Sequence, residues 1–222
     1  MRKFRVLTCI LLTLSLAACG AANPALPSSD VNNTQPEVTT LPAESTATDL
    51  SAEAVVSYAD LADLTFTFSS GVGAWMTTLF IAADGSFEGE FFDEDMGAAG
   101  DGYSNGTVSL CTFHGQLAPL SRKDDLTCTT TISSISYAKT ADTEEILDNI
   151  HYVYTTAYGL DDAETLYFYL PGTKTADLDE ECMSWIATYL QDGVEGERPD
   201  TIPFTVLYNK NAGTAFVGMV EG

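Results

Sequence analysis

Apolar and polar positions are arranged differently in successive parts of the chain. Leu50, Ala54, Tyr58 and Leu61 recur near helical spacing and predict a short helix over about 52–62. Beyond it, strict alternation takes over. Leu64, Phe66 and Phe68 share one face of a strand, with Thr65 and Thr67 on the other. Trp75 to Ala82 and Ser86 to Phe92 flank Asp84-Gly85, the strongest short-range hairpin signal. In the second arm Phe87, Gly89 and Phe91 face inward and Glu88 and Glu90 outward.

Thr107 to Gly115 and Leu126 to Tyr137 read as a further hairpin with a longer connection. Asp142-Thr-Glu-Glu145 matches a capping box before Ile146 and Ile150 and predicts a second short helix. His151 to Tyr158 and Glu164 to Leu170 read as strands around a turn at Gly159-Leu-Asp-Asp162. Leu178, Cys182, Ile186 and Leu190 fall four apart, with acids 179–181 in the first turn, and predict a helix. Ile202 to Tyr208 and Thr214 to Met219 form a last hairpin around Asn211-Ala-Gly213. Nine or so short strands with two or three peripheral helices make the domain, residues 51–222, mainly β. The expected architecture is a single antiparallel β-barrel or a sandwich.

The N-terminus follows different rules. Arg2, Lys3 and Arg5 precede an apolar run from Val6 to Leu16, too short for a comfortable permanent span. The run ends in Leu16-Ala17-Ala18, followed by Cys19. This order resembles the bacterial lipoprotein signal. The resemblance implies that residues 1–18 are a cleaved signal peptide and that Cys19 becomes the lipidated first residue. Two or three acyl chains, such as palmitate, then hold the protein to the extracytoplasmic face of the cell membrane, where one chain would not suffice. Residues 19–50 contain Pro24, Pro27, Pro36 and Pro42 and no aromatic residue. Such a segment cannot bury a core and reads as a disordered tether spanning about 30 Å.

The charge then excludes partners. The chain holds 32 acidic residues against nine basic, a net charge of −23. Loss of Arg2, Lys3 and Arg5 with the signal leaves six basic residues and a net charge of −26. A surface this acidic repels nucleic acid. No G-x-S-x-G, P-loop or dinucleotide fingerprint stands in its required context, and His114 and His151 have no ligand-spaced neighbour. No catalytic residue, cofactor or metal is assigned, and the chain reads as a non-enzyme. Asp93, Asp95 and Asp101 supply hard oxygens in a loop with Trp75 and Tyr103 nearby, a candidate ligand or calcium loop. The EF-hand pattern fails, since Gly97 and Ala98 occupy key positions and Ser104 stands twelfth. Cys111 and Cys128 face each other if Phe113 faces Leu126, a candidate disulfide in an exported protein. The alternative is two small buried apolar side chains with free thiols.

Gly73-Ala74-Trp75 opening a strand resembles the Gly-x-Trp of lipocalin and calycin barrels. The run from Phe66-Thr-Phe-Ser-Ser-Gly71 through Trp75, Asp84-Gly-Ser-Phe87, Gly102-Tyr-Ser-Asn-Gly-Thr107 and Tyr158-Gly-Leu160 to Tyr169-Leu-Pro-Gly172 is similar to an uncharacterised β-rich domain of Gram-positive lipoproteins. That resemblance covers about 66–219 and implies export without specifying an activity. Three functions remain: a monomeric binding module for a small ligand or envelope partner, an interaction lipoprotein with a filled core, and a hydrolase without a recognisable motif. A polar cavity favours the first, a packed interior the second, and a His paired in a cleft the third.

Overall fold

The computed structural model describes residues 56–71, 73–190 and 198–220. The signal, Cys19, the tether and the start of the expected 52–62 helix lie outside these residues. Within them Tyr58–Asp60 forms one 3-10 turn, its entry closed by Ser57 and Asp60 in a capping box.

Among the described residues twelve strands follow, all in one sheet, so the fold is mainly β. They are β1 (Leu64–Ser69), β2 (Trp75–Ile81), β3 (Ser86–Asp95), β4 (Thr107–Leu117), β5 (Ser121–Arg122) and β6 (Thr127–Thr130), then β7 (Ile132–Tyr137), β8 (Thr143–Leu147), β9 (Ile150–Tyr154), β10 (Leu166–Tyr169), β11 (Thr205–Asn209) and β12 (Thr214–Val220). One helix among the described residues, α1 (Glu180–Ile186), runs straight into a 3-10 turn at Ala187–Leu190. The order across the sheet is β5-β6-β10-β11-β12-β1-β2-β3-β4-β9-β8, with β7 also on β4.

The expected hairpins β2–β3 and β11–β12 form at their Asp-Gly and Ala-Gly turns. Four expectations fail. The sheet curls, but it is neither a sandwich nor a closed barrel. The segment that would close it breaks at Thr131, so β6 bonds β10 while β7 bonds β4. Residues 142–150 are not helical but form the β8–β9 hairpin. Asp148 and Asn149 both take positive φ, 53° and 63°, and make the two-residue turn whose twist suits paired strands. That hairpin then docks in parallel on the first half of β4, with Thr107 opposite His151, instead of pairing with β10.

The concave face is filled by aromatic rings laid on glycines. Phe87 is the cross-strand partner of Gly115, Phe113 of Gly89 and Phe66 of Gly218. In each pair the ring occupies the space a glycine Cβ would need, at 2.5 Å, 2.4 Å and 2.7 Å respectively. Gly89 and Gly115 also lie so close to neighbouring backbone that a Cβ would meet the carbonyl oxygens of Thr78 at 2.3 Å and Ser134 at 2.1 Å. Missing side chains let the strands bend inward, and the opposite rings fill the space. Phe168, Phe216, Leu166 and Leu207 complete the interior, none more than 1% exposed.

Both ends are stoppered. Tyr58 and Leu61 pack beneath the β2–β3 turn, where a Cβ on Gly85 would strike the Tyr58 ring. At the other end of β2, Trp75 packs edge-on against Phe68, which also meets Trp185, Tyr158 and Phe216. The loop carrying Tyr158 crosses this end with carbonyls that no strand pairs. Buried Thr77, Asn209 and Thr214 donate to them, reaching Tyr158, Gly159 and Asp161 at 2.7–3.1 Å.

The outer face of β11–β12 is covered as well. Cys182, Met183, Ile186 and Leu190 of the predicted helix pack on Val206, Tyr208, Ala215 and Val217. Every residue of β11 is therefore buried, which explains why its sequence does not alternate.

Adding one methyl at Gly115 is expected to lower stability by about 3 kcal/mol or more, because both the Ser134 carbonyl and the Phe87 ring must move. Gly97→Ala, where a Cβ meets only the end of the Asp95 side chain at 3.3 Å, is expected to cost under about 1 kcal/mol. Urea unfolding followed by circular dichroism compares them. Equal midpoints would show that the close approach at Gly115 does not matter.

Candidate functional site

The expected ligand loop does not assemble. Asp93 and Asp95 belong to β3, opposite Ser109 and Thr107 of β4, and Asp101 sits in the turn that follows. Asp95 Oδ1 accepts from the N–H groups of Gly97 and Ala98, at 2.9 and 3.1 Å, and so serves the turn. Among the described residues no three His, Cys, Asp or Glu side chains converge as a metal site. Trp75 is held in the aromatic stopper, 5.1 Å from Tyr158. Tyr103 instead lies on the His151 ring, 4.8 Å between centroids.

The cysteine register is also different. Cys111 lies opposite Phe91, and Cys128 opposite Phe168 and Arg122. The β4–β7 ladder pairs Phe113 with Tyr137 rather than with Leu126, which removes the basis of the disulfide. Cys111, Cys128 and Cys182 are free and buried.

Among the described residues, His151 carries the one arrangement that looks catalytic. Its Nε2 lies 3.0 Å from Glu144 and its Nδ1 3.4 Å from the Thr107 hydroxyl. The Thr107 hydroxyl donates its single proton to the Ala98 carbonyl at 3.0 Å, however. It therefore offers no proton to the imidazole, and the Thr–His contact is too long for an activated nucleophile. The cluster ties the β8–β9 hairpin to the 96–106 turn.

Among the described residues, concavities of about 520–600 Å³ lie around Phe80, Glu88 and His114 and at the outer face of β10, where the floor is aromatic. Leu166 and Phe168 point into the core, so Tyr167 and Tyr169 point out. Their rings are nearly parallel, 20° apart with centroids at 6.1 Å, and Tyr169 continues onto Tyr208 at 6.4 Å. The helix covers Tyr208 but leaves Tyr167 and Tyr169 half-buried. They floor a groove of about 570 Å³, a size suited to a small ligand.

Its two walls are braced. On one side, Asp124 accepts the Leu126 N–H at 2.9 Å and Asp125 pairs with Arg122 at 2.5 Å. On the other, Gly172 N–H donates to Ile202 and Thr175 N–H to Asp200, at 2.8 and 2.9 Å. Leu170 N–H, donating to the Leu126 carbonyl at 2.9 Å, joins the walls. Lys123 projects from the first wall, Lys174 and Asp177 from the second. Burial raises the Tyr169 hydroxyl well above the usual phenol range, and burial followed by Asp179 pushes Tyr208 up to about 12. The groove was not read from the sequence. Its signal was the pair Tyr167 and Tyr169 at the outward positions of a strand whose inward positions are apolar.

No protein-family model matches the chain, and neither a curated protein nor a solved structure matches it significantly. The groove therefore stands on its geometry alone.

Burial pushes the Cys111 and Cys182 thiols up to about 12 from an ordinary 9.0, and raises Cys128. At pH 8 iodoacetamide should leave all three unmodified in the folded chain and label all three in denaturant, by peptide mass mapping. Because the folded values lie above the unfolded ones, the neutral thiols stabilise fully below about pH 9. That contribution is lost as pH rises toward about 12. Labelling of Cys111 in the native state at pH 8 would refute this burial.

Proposed function

We propose that the chain is a membrane-anchored extracytoplasmic lipoprotein, not an enzyme, whose β domain binds a cell-envelope partner on its outer surface. The observation that carries this reading is the filled interior. Phe66, Phe113, Phe168 and Phe216 occupy the space where a lipocalin-type barrel would hold its ligand, each at most 1% exposed. Recognition then falls to the outer surface, where the groove over Tyr167 and Tyr169 is the candidate.

The N-terminal order supports the anchor. Arg2, Lys3 and Arg5, the short apolar run, Leu16-Ala17-Ala18 and Cys19 follow one another as in lipoprotein signals. No described helix is long and apolar enough to cross a membrane. Residues 19–50, with four prolines and no aromatic residue, have the composition of a tether.

The finer architecture fits a filled relative of the calycin barrel. Strands β10, β11, β12, β1, β2, β3 and β4 succeed one another as in an up-and-down barrel that is left open, β6 bonding β10 and β7 bonding β4. Trp75 of the Gly-x-Trp run stoppers one end.

Cell fractionation tests the anchor. Cys19→Ala should move the protein from the membrane to the soluble exported fraction, and retention of a cleaved variant in the membrane would contradict lipidation. Sedimentation with isolated cell-wall material tests the groove. Tyr167→Ala should lose co-sedimentation by about tenfold, whereas Phe80→Ala, an exposed aromatic on β2, should not. Equal behaviour of the two variants would place recognition elsewhere.

A further inference from the structure

The helix α1 packs on residues of β11 and β12. On the outer side of β2, β3 and β4, by contrast, Phe80, Glu88, Glu90, Thr112 and His114 are exposed. The ladders set Phe80 beside Glu88 and Glu88 beside His114, and Thr78, Glu90 and Thr112 form the next row. Phe80 is 42% exposed. Two concavities, of about 600 and 520 Å³, share Phe80, Glu88 and His114 in their linings. One extends toward Ala62 and Ala82 and the other toward Glu90 and Thr112, so this row divides an apolar hollow from an acidic one.

Charge identifies what fits the face. No Lys or Arg occurs between Arg5 and Arg122, so β1 to β4 and their connections hold neither. Strand β3 alone carries Glu88, Glu90, Asp93, Glu94 and Asp95. Glu88, Glu90 and His114 have no hydrogen bond or ion pair among the described residues. Lys139, which shares a small cavity with Thr112 at the β4 margin, is held by Glu145 at 3.0 Å. Two carboxylates beside an exposed ring, with no cation of their own, are complementary to a cation from outside.

We infer that this face docks a segment of another protein that carries arginine next to an apolar side chain. The guanidinium lies over Phe80 and meets Glu88 and Glu90, and the apolar neighbour enters the hollow bounded by Ala62, Phe80 and Ala82. Arginine suits the place better than lysine, because its planar group stacks on a ring and its fork matches a carboxylate. A second copy of the chain does not suit it, since that copy brings a net charge of −23 and no Lys or Arg on the matching face. Nucleic acid and anionic lipid are repelled for the same reason. A polyamine brings charge without an apolar group for the second hollow. The occupant is a protein segment and not wall polymer, so the wall test at Tyr167 stands or falls independently.

Calorimetry on the full chain in uncharged detergent tests the inference. The probe is the peptide acetyl-Leu-Arg-Leu-Arg-Leu-amide, and its counterpart carries citrulline, an uncharged isostere, in place of arginine. The arginine peptide should bind about tenfold tighter at low salt, and the preference should fade as salt is added. Glu88→Gln with Glu90→Gln should abolish the preference. Asp162→Asn with Glu164→Gln, an exposed pair at the same spacing and with the same change in net charge, should keep it. Phe80→Ala should weaken the arginine peptide by about fivefold. Arginine and citrulline peptides binding alike, equal losses from the two carboxylate pairs, or Phe80→Ala binding as the native chain does would each overturn the proposal. So would displacement of the peptide by spermine at equal concentration, which would put a polyamine there. A dimer that Phe80→Ala dissociates in the ultracentrifuge would put a second copy there and overturn it too.

Discussion

Everything in this fold depends on how a single curled sheet fills its own concave side. Three phenylalanine rings, Phe66, Phe87 and Phe113, each lie over a glycine directly across the ladder. A glycine in a strand is costly by itself, since it contributes no packing and loses more backbone freedom on folding. Here the missing side chain is what permits the curl, and the ring opposite recovers the lost burial. One buried phenylalanine contributes about 2–3 kcal/mol relative to exposure, so three such pairs outweigh the glycine penalty. The interior is therefore solid, and the ends need only small stoppers, Tyr58 with Leu61 and the cluster around Phe68.

A solid interior forces chemistry outward. The helix face of Cys182, Ile186 and Leu190 seals most of the outer surface of β11 and β12. It stops short of Tyr167 and Tyr169, and the braced walls on either side turn the uncovered strip into a groove. Among the described residues Lys123, Lys174 and Arg198 have no ion pair, and the two lysines line this groove beside Asp124, Asp125 and Asp177.

Elements specified by local chemistry were legible in the sequence. The Asp84-Gly85 hairpin, the inward set Phe87, Gly89 and Phe91, the stripe Leu178 to Leu190 and the last hairpin all rest on contacts between near neighbours. Residues 142–150 misled because a capping-box pattern and a hairpin share the same acids. What decides between them is the left-handed pair Asp148 and Asn149 and the docking of β9 on β4. The Cys111–Cys128 register failed for a related reason. A hairpin register cannot be counted through a strand that changes partners at Thr131. Gly115 and Gly218 gave no hint of their role, since a glycine shows its purpose only once the ring opposite it is known. The groove was hidden because its walls are 50 residues apart and meet only through the pairing of β6 with β10.

The claim that rings and glycines act as units is tested most directly by a double-mutant cycle at Gly218 and Phe66. At this pair a new Cβ meets only ring atoms, at 2.7–3.1 Å. Gly218→Ala and Phe66→Leu should each destabilise, by about 2 kcal/mol and about 1 kcal/mol. Together they should cost at least about 1 kcal/mol less than the sum, because the smaller leucine makes room for the methyl. Additivity within about 0.5 kcal/mol would contradict the account, and would mean that each residue serves the sheet on its own.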